Sequence, residues 1–247
     1  MAMRALKVVA RLESGRVATM DGWLPLDGIL AWAWMLEHNP DLLWHTDAGR
    51  RGDLVTPELP LERRELGGEW FWAASFAQYK QLAESIAYSH KRFDDTEAAG
   101  RVDFGGRRGK VHTQSGYYKN QRLPLVYIVT PRLVWYAVGD QGEVELLLAM
   151  IPGIGKKTAT GYGAVAEWMV EPWPIDLSCV DERGRPMRAL PGANGPDQGG
   201  IRPPYWHPVN QTRCWQPPPG GWPEDAQGID WYDAVGAIGE VTRGNGA

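Results

Sequence analysis

Only two cysteines occur among the 247 residues, Cys179 and Cys214, and they form no CxxC spacing, so neither a disulfide framework nor a thiolate metal site is supported. Reduced thiols in a cytoplasmic setting are the expectation. A run of eighteen apolar residues is missing, as is a basic start leading into an apolar signal core, so membrane insertion and export are not expected. A large excess of either charge is also absent. The formal charge of −4 argues against indiscriminate coating of nucleic acid, and any such contact must come from a local concentration of cations. HxxxH, HD and carboxylate clusters are lacking, so no metal-dependent nuclease, no metal site and no other cofactor is expected. The nucleotide-binding pattern GxxxxGK[ST] is absent too. Its nearest approach, Gly155-Lys156-Lys157-Thr158, has Met150 where the first glycine is required, and it follows a helix rather than opening one.

What the sequence has is an ordinary globular balance, 43% hydrophobic and 23% charged, in a length that suits one large domain or two small ones. Thirteen tryptophans are unusual; most are expected in the core, with some left to stack on bases or partner surfaces. Leu6 to Leu12 reads as a strand, bounded by Ser14-Gly15. A helix follows, with Asp27 as N-cap, apolar residues Leu26, Ile29, Leu30, Ala33 and Leu36 at helical spacing, and Pro40 as its stop. Residues 41–68 read as a loop, Glu69 to Tyr79 as a strand, and Gln81 to Tyr88 as a short helix. A polar, basic stretch from Lys91 to Arg122 comes next, then strands Leu123 to Val129 and Arg132 to Val138 joined across Thr130-Pro131. Glu143 to Met150 reads as a second helix and Ala164 to Val170 as a closing strand.

That order is the split βαβ pattern of a ferredoxin-like α+β domain spanning residues 1–170, with a basic insertion at about 80–122. After Glu171 the texture changes. Residues 172–223 hold twelve of the nineteen prolines, so regular structure should be sparse in an irregular extension over residues 171–247. Its tryptophans favour an extended wrap over the domain or a partner rather than a disordered tail.

Two stretches could carry chemistry. Gly153 to Gly163 reads GIGKKTATGYG, where Gly153, Gly155, Gly161 and Gly163 describe a loop shaped for close approach and Lys156 and Lys157 suit an anion. The same residues would also serve as a tight helix-to-strand connection, with lysines at a helix C-terminus. Between Gly100 and Arg132, seven basic residues stand against Asp103 alone, a net +6. Arg107, Arg108, Lys110 and Lys119, interleaved with Tyr117 and Tyr118, suit single-stranded nucleic acid. A solvated loop answering Asp94, Asp95 and Glu97 is the other reading.

GIGKKTATGYG resembles the glycine-rich signature of the RAMP superfamily of CRISPR-associated RNA-binding proteins, placed just before the last strand of a ferredoxin-like domain. Asp21 to Pro40, DGWLPLDGILAWAWMLEHNP, resembles more narrowly the Cas-five-like subunit of type IV CRISPR effector complexes. The resemblance covers about the first 170 residues. It implies a β-hairpin thumb formed by the basic insertion and a noncatalytic subunit that caps the 5′ handle of the guide crRNA. It also implies contact with Cas-seven-like backbone subunits and other subunits of the complex, and contact with target nucleic acid only indirectly. On that view Gly153, Gly155, Lys156, Lys157, Gly161 and Gly163 approach the RNA backbone. Arg107, Arg108, Lys110 and Lys119 grip the handle, and Tyr117 and Tyr118 meet unstacked bases.

Some RAMP relatives cleave repeat RNA without metal, and His112, Tyr117 and Lys119 supply residue types for such a reaction. A metal-independent endoribonuclease is therefore the alternative. His38, His45, His90 and His207 read as structural or solvated.

Overall fold

The computed structural model describes residues 2–19, 21–41, 54–94, 101, 113–115 and 118–223. In chain order the strands are β1 (Arg4–Leu12), β2 (Arg16–Val17), β3 (Arg63–Leu66), β4 (Glu69–Trp72), β5 (Ala83–Lys91) and β6 (Gln121–Val129). They continue with β7 (Arg132–Gly139), β8 (Val165–Pro172), β9 (Leu190–Pro191), β10 (Asp197–Gly200) and β11 (Gln211–Trp215). The two α-helices described are α1 (Leu26–His38) and α2 (Gln141–Ala149), so the class is α+β.

The main sheet has β1 in the centre, antiparallel to β7 on one side and β8 on the other. Beyond β7 the chain from Ala73 to Gln78 runs as a fourth, irregular edge: Ser75 N donates to Tyr136 O at 2.8 Å, and Gln78 and Val134 exchange bonds of 2.7 and 3.0 Å. Period-2 patterning fixes which face is covered. Leu6, Val8, Ala10 and Leu12 of β1 and Leu133, Trp135 and Ala137 of β7 are buried with Leu30 and Ala33 of α1 and Val144, Leu147 and Leu148 of α2. The opposite face, carrying Lys7, Val9, Arg11, Arg132, Val134 and Tyr136, has no helix over it among the described residues and lines an open groove.

Several expectations need correction. Asp27 does not cap α1: the N-cap is Pro25, without a side-chain bond, and Asp27 is the second residue of the first turn and fully buried. The expected strand Glu69–Tyr79 is two pieces, because the chain leaves the β3–β4 hairpin after Trp72 and transfers its pairing to β7. The stretch 41–68, read as loop, contains β3, which turns back on β4 through Gly67 and Gly68, both at positive φ. Gln81 to Tyr88 is not a helix; Ala83 onward is β5, paired along its whole length with β6. Long-range pairing overrides a weak helical period there. The two strands expected either side of Thr130-Pro131 are present as β6 and β7, and they belong to different sheets: β6 pairs with β5 and β2, while β7 joins the main sheet. α2 begins before Glu143, capped by Asp140 Oδ1, which accepts from Glu143 N at 3.2 Å.

The region after Pro172 has only short strands, in the order β10-β11-β9, yet it is tied to the rest of the molecule by buried arginines. Arg64 of β3 meets Asp176 at 2.7 Å and Glu62 at 3.1 Å. Arg202 donates to Glu69 Oε2 at 2.9 Å and Trp70 O at 2.8 Å. Arg188 is wholly buried and reaches the carbonyls of Trp72, Ala74 and Ile201 and the carboxylate of Asp27. Cys179 and Cys214 are both buried free thiols. Burial pushes the Cys179 thiol above its ordinary pKa, against the pull of Arg64 and Arg188.

Tyr79 links the edge of the sheet to two glycine turns: its hydroxyl donates to Gly22 O at 3.0 Å, and its ring packs against Gly220. Burial first, then the charges of Asp21 and Glu84, push its pKa from 10.0 up to about 12. The folded chain therefore keeps this proton after an unfolded tyrosine has lost it. That contribution to stability is whole below pH 10 and is lost as pH rises from about 10 to about 12. Urea unfolding at pH 9 and pH 11 should show a falling midpoint, and the fall should be smaller in Tyr79→Phe. An equal fall in both proteins would contradict this role.

Candidate nucleic-acid interface

The glycine-rich loop connects α2 to β8 and is fixed largely by bonds to its own chain. Ile154 N donates to Gly163 O at 2.8 Å, Gly163 N to Arg16 O at 2.6 Å and Lys156 N to Ala18 O at 2.7 Å. Gly155 and Gly163, both at positive φ, are required for these contacts. A Cβ at Gly155 would overlap Ala18 O, and one at Gly163 would overlap Ile154 O. At Gly153 it would come within 2.9 Å of Thr158 Cγ2. Gly161 differs, because its Cβ position is open space despite a φ of +87°. Of the four glycines read as approaching RNA, three are thus needed for the loop's own packing, and Gly161 alone leaves its backbone open.

Lys156 and Lys157 are exposed, and among the described residues neither is in an ion pair. Lys157 holds a left-handed backbone at φ +60°, a conformation that costs a non-glycine residue about 1–2 kcal/mol. It starts the single 3-10 turn Thr158–Thr160, whose end is held by Thr160 Oγ1 donating to Lys157 O at 2.8 Å and Ser14 Oγ donating to Gly161 O at 3.0 Å. The tip is therefore a fixed backbone with two solvated ammonium groups.

Beside it lies a cluster that sequence reading did not single out. Tyr162, between Gly161 and Gly163, has its ring 5.2 Å from that of Tyr127 on β6, and the Arg16 guanidinium lies 5.9 Å from the Tyr127 ring. Tyr162 was visible as the aromatic of the second glycine unit; Arg16 and Tyr127 gave no local signal, since only the β2–β6 pairing brings them there.

The β5–β6 ribbon starts from this point. Arg122 packs over the ring of Tyr88 at 3.7 Å, and Ile86, Leu123 and Val126 are exposed on it. Lys119 and Tyr118 are exposed near its far end, where the Tyr118 ring meets Phe93 edge-on at 5.3 Å. Arg107, Arg108, Lys110, His112 and Tyr117 lie outside the described residues, so of the expected handle grip and catalytic trio only Lys119 is described, and of the two tyrosines expected to meet bases only Tyr118. Among the described residues no group of three His, Cys, Asp or Glu side chains could hold a metal ion. No helix described is long and apolar enough to cross a membrane.

The described site is thus an exposed cationic tip on a self-locked loop, beside an arginine-tyrosine cluster and the β5–β6 ribbon, in an α+β protein. The sequence model of the family described as CRISPR type IV associated protein Csf3 matches residues 4–217, and the chain belongs to that family. The match runs through the main sheet and on across β9 to β11. No curated protein matches the sequence.

Proposed function

We propose that this chain is the noncatalytic crRNA-binding subunit of a type IV CRISPR ribonucleoprotein, capping the 5′ handle of the guide RNA and contacting the adjacent Cas-seven-like backbone subunit. Family membership supports the setting. A ferredoxin-like RAMP fold is supported by the order β8-β1-β7 followed by the edge at 73–78, with both helices on one face. The β5–β6 ribbon is the base of the thumb, and the assembly works in the cytoplasm. The observation that carries the reading is the pair of exposed lysines on a loop whose backbone is already fixed, so that RNA meets a preformed surface. Phosphate oxygens pair with Lys156 and Lys157, and an unstacked base finds Tyr162 and Tyr127 within reach of the same strand.

Fluorescence anisotropy with a 5′-labelled CRISPR-repeat RNA across a salt series tests this. Lys156→Ala with Lys157→Ala should weaken binding and reduce the slope of log affinity against log salt by about 1.4, near 0.7 for each phosphate that no longer meets an ammonium group. The RNA should stay intact with or without EDTA. Unchanged affinity and slope would contradict the assignment of the loop, and cleavage without metal would replace it with the endoribonuclease reading.

A further inference from the structure

The uncovered face of the main sheet borders the loop and belongs to neither loop nor thumb. It floors a groove of about 1540 Å³ walled by Gln78 to Leu82 on one side and Pro219 to Pro223 on another. Its floor is laid out in rows by strand register. Lys7 lies between Tyr136 and Glu171, Val9 between Val134 and Met169, and Arg11 between Arg132 and Glu167. The rings of Tyr136 and Trp173 lie 5.8 Å apart, with Lys7 Nζ 4.5 Å from the Trp173 ring.

Two features of those rows point to an anion with flat bases. Arg11 and Arg132 are direct cross-strand partners, and like charges directly opposite destabilise a sheet. Glu167 answers Arg11 at 3.2 Å, but Arg132 and the neighbouring Lys80 form no ion pair among the described residues. Lys7 is likewise answered by Glu171 at 2.8 Å, so of the four cations on this face, Lys7, Arg11, Lys80 and Arg132, two are left without a counter-charge among the described residues, Lys80 and Arg132, in a chain whose total is −4. The aromatic faces at the other end supply stacking surface. Cations tracking a groove with ring platforms fit single-stranded nucleic acid better than an apolar peptide.

The groove also continues from the loop. Leu12 N donates to Pro131 O and Glu13 N to Ala164 O, so the Arg11–Arg132 row ends where the glycine-rich loop enters β8 and where β6 passes into β7. We propose that this sheet face is a second RNA-binding surface that takes the single-stranded nucleotides leaving the loop, phosphates on Arg132, Arg11 and Lys80 and bases against Tyr136 and Trp173. The inference rests on the reading that the chain binds RNA, and its test separates the two.

Anisotropy of the purified full chain with 5′-labelled oligouridylates of 5 and 14 nucleotides provides that test. Wild type should bind the longer RNA more tightly. Lys80→Gln with Arg132→Gln should leave the thermal midpoint unchanged or higher and leave 5-nucleotide binding intact, but remove much of the gain with length and lower the salt slope for the 14-mer by about 1.4. Tyr136→Leu, which keeps an apolar side chain against Trp173, should weaken 14-mer binding by about fivefold or more with little effect on the 5-mer. Crosslinks from 5-bromouridine in the 14-mer should fall on Tyr136 or Trp173. Intact length dependence and slope in the double variant overturn the groove proposal alone, as does increased 14-mer affinity on deleting residues 224–247, which would make those residues the groove's occupant. Failure of wild type to bind either RNA overturns the functional reading and this inference together.

Discussion

Asp27→Asn is expected to destabilise the folded chain by about 3–5 kcal/mol, because it leaves the Arg188 guanidinium buried without a counter-charge. Both side chains are fully buried, with Arg188 Nη2 3.4 Å from Asp27 Oδ2. Tyr205 completes the group, its hydroxyl donating to Asp27 Oδ1 at 2.6 Å, and Gly28 N donates to the same oxygen at 3.1 Å. Burial raises the pKa of the Asp27 carboxyl, while Arg188 and Tyr205 pull it down. Asparagine keeps the size but not the charge. The group joins α1 to a chain segment more than 150 residues away, so the loss should loosen the whole region after Pro172. Urea unfolding followed by tryptophan fluorescence measures it. Asp27→Asn with Arg188→Met should recover much of the loss, since replacing both charges removes the stranded cation. A single variant within about 1 kcal/mol of wild type would contradict this account of the DGWLPLDG stretch.

Gly163→Ala carries the second large effect. Its φ of +67° already disfavours a side chain, and the added methyl would overlap the Ile154 carbonyl that faces it across the loop. Gly161→Ala has the same φ difficulty at +87° but open space around the new methyl. The expected order is therefore a cost of about 1–2 kcal/mol at Gly161 and a clearly larger one at Gly163. Gly163→Ala should also lower RNA affinity by displacing the lysine-bearing tip, although it removes no cation. Thermal unfolding with anisotropy on the same preparations tests both. Equal stability of the two variants would mean that the loop is not locked as described.

The main sheet was legible because its strands announce themselves locally: Leu6 to Leu12 and Arg132 to Val138 are short runs rich in β-branched, aromatic and other apolar residues next to turn signals, and Gly153 to Gly163 sits between a capped helix and a strand. What was hidden depended on distant partners. Asp27 has the composition of an N-cap, and nothing nearby shows that Arg188 will reach it. Gln81 to Tyr88 carries no strong period, and only β6 lying alongside makes Ala83 onward a strand. The proline-rich extension looked irregular because its order comes from Arg64, Arg188 and Arg202 reaching into backbone carbonyls and carboxylates, a pattern without spacing in sequence. In the candidate interface, Lys156 and Lys157 could be read directly. Arg16 and Tyr127 required the β2–β6 pairing, and the Arg11–Arg132 row required the register of β1 on β7.

The central claim is that a preformed, lysine-bearing loop holds the leading end of a guide RNA. It is tested most directly by purifying the chain together with the proteins encoded beside it and sequencing the RNA that comes with them. The account predicts short RNAs sharing one 5′ tag, absent from complexes carrying Lys156→Ala and Lys157→Ala. RNA of mixed 5′ ends, or a uniform tag that survives both substitutions, would contradict it.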